Sequence, residues 1–227
     1  MDGLDKFLDR AAAHHGGLGK VEAALPTPLT PARLKRLGDD RYLSAMAKQI
    51  FKAGFVWRVV DQKWPGFEKA FEGFVPETVA FWDDERLEAL AKDETIIRNP
   101  QKIRAVAANA HFVVDMAKEH GRFANLIADW PGGDIVGLWA HLKKHGTRLG
   151  GMTGSIFLRT VGKDSFILTD DVVAVLIGQG VVAKAPTSKK DLAAAQAAFN
   201  QWQQESGRPL AHISRIVAMS LGPRSKS

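Results

Sequence analysis

Apolar residues recur three and four positions apart along much of the chain, as in Leu43, Met46, Ala47, Ile50 and Phe51, and again in Leu87, Leu90 and Ala91. That spacing lines one face of an α-helix. Alternating apolar and polar runs of the kind that make strands are nearly absent, so the pattern predicts an all-α protein built from many short to medium helices. Helix starts carry their own signals. Pro76 with Glu77 and Thr78 opens one helix, Asn99 before Pro100 reads as an N-cap with proline at the first helical position, and Ser188 with Asp191 reads as a capping box. The alanine-rich stretch from Asp191 to Phe199 keeps the helical period.

Pro26, Pro28 and Pro31 interrupt any helix near the start. Residues 1–38 are therefore expected to form an N-terminal arm, packed on or trailing from a helical body over 39–222. A second break falls at Trp130-Pro-Gly-Gly-Asp134, and residues 223–227 read as a basic, mobile tail. No internal repeat is present.

With 227 residues, 45% of them hydrophobic, the chain is long enough to bury a sizeable core. A formal net charge of +6 favours an anionic partner such as nucleic acid, although a charge of this size also serves plain solubility. The absence of cysteine excludes disulfides, thiolate nucleophiles and every cysteine-containing zinc or iron–sulfur site. The first residues, MDGLDKFLDRAAAHH, show no basic segment leading into an apolar one, and nowhere do about 18 apolar residues run together. The expectation is a cytoplasmic monomer that is not membrane-bound.

The segment Leu142 to Leu158 (LKKHGTRLGGMTGSIFL) places a glycine-rich turn between two apolar helices, and Thr169-Asp-Asp-Val-Val173 follows it. Gly146, Gly150, Gly151 and Gly154 admit backbone conformations closed to other residues, so consecutive amides can turn toward an anion. The helix resuming near Thr153 adds its positive end, and Lys143, Lys144 and Arg148 add charge. The same turn also fits an ordinary helix connection.

Three stretches in order carry a more specific message: Lys52-Ala-Gly-Phe-Val-Trp57, the block from Ile96 to Ala110 (IIRNPQKIRAVAANA), and the hairpin with Asp170-Asp-Val-Val173. Together they resemble the 3-methyladenine DNA glycosylase I family of the helix-hairpin-helix DNA glycosylase superfamily, over about residues 39–180. His212-Ile-Ser-Arg-Ile216 is also similar to the closing helix of that superfamily. The resemblance implies a two-lobed, all-helical enzyme that grips duplex DNA through the hairpin. It turns a damaged base out of the stack into a cleft between the lobes and hydrolyses the glycosidic bond.

Residue by residue, the resemblance makes Trp57 the aromatic platform for the extruded base, the alternative being a core tryptophan. It makes Asp170 the carboxylate that stabilises positive charge on the sugar as the base leaves. Asp170 also fits as the N-cap of a helix starting near Asp171. The DNA contacts would come from Lys143, Lys144, Arg148, Gly150, Gly151, Thr153 and Gly154.

Departures from the family pattern are equally specific. Gln49 stands where the family has a glutamate against the methylated base, and a neutral amide both donates and accepts where a carboxylate only accepts. The family's zinc ligands are missing: Asp171 occupies a histidine position and Val175 a cysteine position. The adjacent His14 and His15 read as surface or DNA-facing residues. Tyr42 is the only tyrosine, so the aromatic pocket is remodelled. Met152 to Leu158 contains no lysine of the kind that forms a Schiff base in backbone-cutting relatives. These features imply a monofunctional glycosylase for alkylated or otherwise modified purines. Two other readings stay open: a hairpin-bearing DNA-binding protein that has lost base excision, and an all-helical protein-interaction module.

No metal or other cofactor is expected. Protein purified without a metal-affinity tag should contain no stoichiometric zinc by elemental analysis, and a chelator should leave its melting temperature unchanged.

Overall fold

The computed structural model describes residues 1–223; apart from Pro223, the expected basic tail lies outside the described residues. Among the described residues there are helices and no strands. In chain order the α-helices begin with α1 (Leu4–His15), α2 (Leu18–Ala23), α3 (Pro31–Arg36), α4 (Asp39–Lys52), α5 (Trp57–Ala70), α6 (Pro76–Val79) and α7 (Asp84–Leu90). They continue with α8 (Pro100–His120), α9 (Phe123–Asp129), α10 (Ile135–His145), α11 (Met152–Thr160), α12 (Asp170–Gly178), α13 (Lys189–Ser206) and α14 (Leu210–Met219). The predicted starts hold in detail. Asn99 accepts from the Lys102 amide at 3.0 Å, and Ser188 and Asp191 bond reciprocally, side chain to amide at 3.1 Å and side chain to side chain at 2.8 Å.

The chain divides into two compact units. The first comprises Met1–Pro28, Pro131–Val136 and the chain from Asp164 on; the second comprises Leu29–Trp130 and Gly137–Lys163. The stretch expected as an N-terminal arm is thus split between them, because helices α1 and α2 find apolar partners in one unit and α3 in the other.

In the first unit α1 packs along α14. Phe7 meets Trp202 edge-on at 5.4 Å, and the Trp202 indole N–H donates to the Asp2 carbonyl at 2.9 Å, so the very start of the chain is anchored. His15 is half-buried and bonds the Met219 carbonyl at 3.2 Å, which ties it to the end of α14 rather than leaving it on the surface. Asp164 accepts from the amides of Leu210 and Ala211 at 3.1 and 2.8 Å and neutralises the positive end of α14.

In the second unit α4 and α8 are each buried on two faces. Tyr42, Met46 and Ile50 of α4 join Phe112, Val113, Phe123, Leu142 and Phe157 in one core cluster. Leu43, Ala47 and Phe51 join Phe67, Phe71, Phe74, Ile103 and Val106 in another. The single apolar stripe of α4 therefore serves two cores. Helix α9, only seven residues long, is held at both ends: the Asp39 carboxylate accepts from the amides of Phe123 and Ala124, and buried Lys163 donates to the carbonyls of Ala128 and Trp130. Opposite charges at the two helix ends complement its dipole.

Glu68 joins α5 to α4. Its carboxylate accepts both guanidinium nitrogens of Arg41 at 3.0 and 2.9 Å, the Ser44 hydroxyl at 2.7 Å and the Trp64 indole N–H at 3.0 Å. Burial pushes its pKa up, but the bonds and charge of Arg41, with Ser44 and Trp64, outweigh that and hold the carboxyl below the usual glutamate range. Glu68→Gln should cost about 1–3 kcal/mol at neutral pH, the scale of losing charge-assisted hydrogen bonds. Because the folded pKa lies below the unfolded one, this contribution is complete above the unfolded value and is lost as pH falls through the folded one. Urea denaturation of both proteins at neutral pH and at about pH 3 should therefore show the gap narrowing in acid.

Candidate nucleic-acid interface and base pocket

The α10–α11 hairpin buries Leu142, Leu149, Phe157 and Leu158 in the second unit's core, which leaves the turn at 146–151 to carry polar backbone. The four glycines expected to turn the backbone do different jobs. Gly151, the residue before α11, has φ 58° and ψ −136°, a conformation essentially reserved for glycine. A Cβ on Gly154 would meet the Leu149 carbonyl, so that position is glycine for space. Gly146 is also a packing position, where a Cβ would lie 2.5 Å from Leu149 Cδ1. Gly150 has no left-handed φ, and Arg148 takes one instead, at 61°. With glycine before it, α11 has no side-chain N-cap, and its first amides are available to an external acceptor.

The turn is fixed from α8. Asn109, fully buried, donates its amide to the Thr147 carbonyl at 2.9 Å and accepts from the Thr147 N–H at 2.8 Å. Arg148 donates to Gln101 at 2.7 Å. Beside it, Lys102 donates to the carbonyls of Phe51 and Ala53 at 3.2 and 2.7 Å and so caps the negative end of α4. Burial and then the charge of Arg148 lower the Lys102 pKa. Ile50, Ala53, Lys102, Arg148, Gly150 and Thr153 line an open pocket of about 360 Å³. Lys143, Lys144 and Arg148 are all exposed, whereas Thr153 is half-buried and Gly154 buried.

Trp57 is no core tryptophan: it is 52% exposed, at the first position of α5. The two residues before it are exposed as well, Phe55 at 44% and Val56 at 63%, so the α4–α5 connection presents an apolar tip to solvent. Gln49 is only 6% exposed; its Nε2 donates to Thr160 Oγ1 at 3.2 Å, which leaves Oε1 as a free acceptor. Tyr42 lies in the core and donates to the Leu34 carbonyl, removed from any pocket role; burial raises its pKa. Asp170 belongs to the first unit and is exposed. The cap of α12 is Thr169, whose hydroxyl accepts from the Val172 amide at 3.3 Å, so Asp170 is the first helical residue and not the N-cap. Among the described residues no cluster of three histidines or carboxylates is placed to hold a metal. No helix among them is long and apolar enough to cross a membrane.

In the sequence Phe55, Val56, Lys52, Lys102 and Asn109 carry no individual chemical signal; their only mark is that each lies within the family-like blocks.

The fold is that of the helical DNA glycosylases. The 8-oxoguanine DNA glycosylase of Thermotoga maritima superimposes over 94% of this chain and 95% of its own with a TM-score of 0.51, at 18% identity. The 3-methyladenine DNA glycosylase I of Staphylococcus aureus, 20% identical, aligns over 61% of this chain and 79% of its own, TM-score 0.49. The 8-oxoguanine glycosylase/lyase of Methanocaldococcus jannaschii in complex with DNA, 14% identical, aligns over 95% and 87%, TM-score 0.48. The methyladenine glycosylase family model matches residues 35–149, just over half of the chain. The chain belongs to that family. It is a DNA glycosylase, a hydrolase of N-glycosyl bonds serving base excision repair.

If the turn presents α11 to DNA, Gly151→Val should force about 1–3 kcal/mol of backbone strain into it. Duplex affinity should fall by roughly tenfold or more while the melting temperature drops by only a few degrees. Fluorescence anisotropy on a duplex in low salt measures the first; affinity equal to wild type would place the DNA contact elsewhere.

Proposed function

We propose that this glycosylase is monofunctional and excises alkylated or otherwise modified purines from duplex DNA, as a cytoplasmic monomer without metal. The observation that carries this reading is the exposed Trp57, set on the same unit as a hairpin whose turn is clamped by Asn109. An exposed tryptophan loses hydrophobic stabilisation unless a ligand covers it, and an extruded base has the flat face to do so.

In this reading Lys143, Lys144, Arg148 and the first amides of α11, around Gly150, Gly151, Thr153 and Gly154, hold backbone phosphates. Phe55 and Val56 enter the stack as an apolar wedge and fill the gap left by the extruded base, a device that repays unstacking with buried area. The base stacks on Trp57, and the free Oε1 of Gln49 accepts from a donor on its edge. Asp170 stabilises the oxocarbenium-like sugar and orients the attacking water. Without a lysine in the first turns of α11, borohydride added during turnover traps no covalent adduct.

Gln49, a buried neutral amide bonded to Thr160, bears on which base is taken. Mass spectrometry of free bases released from methylated genomic DNA identifies it, and release of no methylated purine would overturn the alkylated-purine reading. Asp170→Asn should retain duplex affinity and slow single-turnover excision by on the order of 10²-fold or more, the scale of one lost preorganised charge. Trp57→Ala should weaken capture of the base, a stacking contact of roughly 1–3 kcal/mol. Equal excision by wild type and Asp170→Asn, both folded, would remove Asp170 from the mechanism.

A further inference from the structure

Phe55, Val56, Trp57 and Arg58, consecutive at the α4–α5 connection, are all exposed. The turn that carries them is fixed by its own backbone and from α8. Lys102 donates to the carbonyls of Phe51 and Ala53, the Phe55 amide donates to the Lys52 carbonyl at 3.1 Å, and the Val59 amide donates to the Val56 carbonyl at 3.0 Å. Gly54 has φ 67°, and a Cβ there would touch nothing, so that position is glycine for its backbone conformation alone. The tip is a preformed apolar projection that ends in a guanidinium.

The other cations around it are engaged within the fold. Lys48 and Lys52 each reach one oxygen of Asp61, both at 2.9 Å. Lys63 donates to the Glu94 carbonyl at 2.6 Å, and Arg148 to Gln101. Asp61 lies only three residues beyond Arg58, yet both its oxygens are taken by lysines, and the first turn of α5 holds no acidic residue. Arg58 has no ion pair, hydrogen bond or ring contact among the described residues. A cation in the first turn of a helix also meets the positive end of its dipole. Nothing inside the unit compensates this charge, and an external anion would.

Resting on the reading of Phe55 and Val56 as a wedge, we propose that Arg58 is a positioning residue that holds a phosphodiester of the opened strand beside the extruded nucleotide, and that the contact forms only once the tip is inside the base stack. A side chain driven between base steps kinks the duplex and brings more of it onto the protein surface. The residue that follows the wedge and Trp57 in the chain is then carried to the strand's phosphates, and a guanidinium can bind two oxygens of one phosphate at once. On intact duplex the tip stays outside the stack and Arg58 stops short of that phosphate. Its contact therefore belongs to the lesion complex, whereas those of Lys143, Lys144 and Arg148 hold any duplex.

The test uses the salt dependence of binding, because each phosphate contact on duplex DNA adds roughly 0.9 to the slope of log Kobs against log salt concentration. Fluorescence anisotropy measures that slope for the full-length protein on two duplexes of one sequence, one intact and one carrying a tetrahydrofuran abasic-site analogue. Arg58→Gln should reduce the slope by about 1 on the abasic duplex and leave it unchanged on the intact one. Arg58→Lys, which keeps the charge, should keep the wild-type slope, and Arg148→Gln should reduce the slope on both duplexes. A fraction of unfolded protein shifts the apparent affinity but not the slope, so the comparison survives a loss of stability. A wild-type slope for Arg58→Gln on the abasic duplex, or an equal reduction on both duplexes, overturns the role of Arg58 and leaves the wedge reading standing. Wild type that binds the abasic duplex no more tightly than the intact one overturns both.

Discussion

A buried amide side chain must find partners for its donors and its acceptor or destabilise the fold, and Asn109, fully buried in the middle of α8, finds both on one residue. It closes on the Thr147 backbone as a neighbouring strand would, with one bond donated and one accepted. Much follows from this closure: Arg148 is held in its left-handed conformation and reaches Gln101, and Gly151 is placed to open α11 without a side-chain cap. The anion-ready end of α11 is a consequence of how α8 reads the turn.

The second constraint is the double burial of α4. Because Met46 and Ile50 fill one core while Leu43, Ala47 and Phe51 fill another, little of the helix surface remains for polar work. Its first half commits its polar groups to structure, Asp39 to the start of α9 and Arg41 and Ser44 to Glu68, and its last turns carry another group. Gln49 is held against Thr160, Lys52 reaches Trp57 and Asp61, and Lys102 closes the final carbonyls from α8. A corner built on the end of a doubly buried helix cannot shift without disturbing two cores, and such rigidity is what the preorganised electrostatics of the proposed site requires.

The charge character of that corner is set by Gln49, a neutral amide, and by Lys48 and Lys52, two ammoniums that share the single carboxylate of Asp61. In the first unit Trp202 holds the Asp2 carbonyl, Phe7 packs on Trp202, and His15 bonds the end of α14. Packing and backbone hydrogen bonds here tie down the chain's beginning.

Helical periodicity, the caps at Asn99 and Ser188, the glycine-rich turn and the family blocks were all legible in the chain itself, because each depends on residues within a few positions of one another. Register at a single residue was not: Thr169 and Asp170 are both good N-caps, and only the course of α12 decides for Thr169. Nor did periodicity tell that Trp57 is exposed, that Gly154 is a space requirement while Gly151 is a conformational one, or that the first 38 residues divide between two units. Those outcomes rest on contacts between residues far apart in the chain, Asn109 with Thr147 and Gln49 with Thr160 among them, and no local pattern encodes such a meeting. The sequence by itself determined the helices and the family; tertiary packing decided which polar groups are left to face a substrate, since a side chain's exposure depends on what else the fold brings against it.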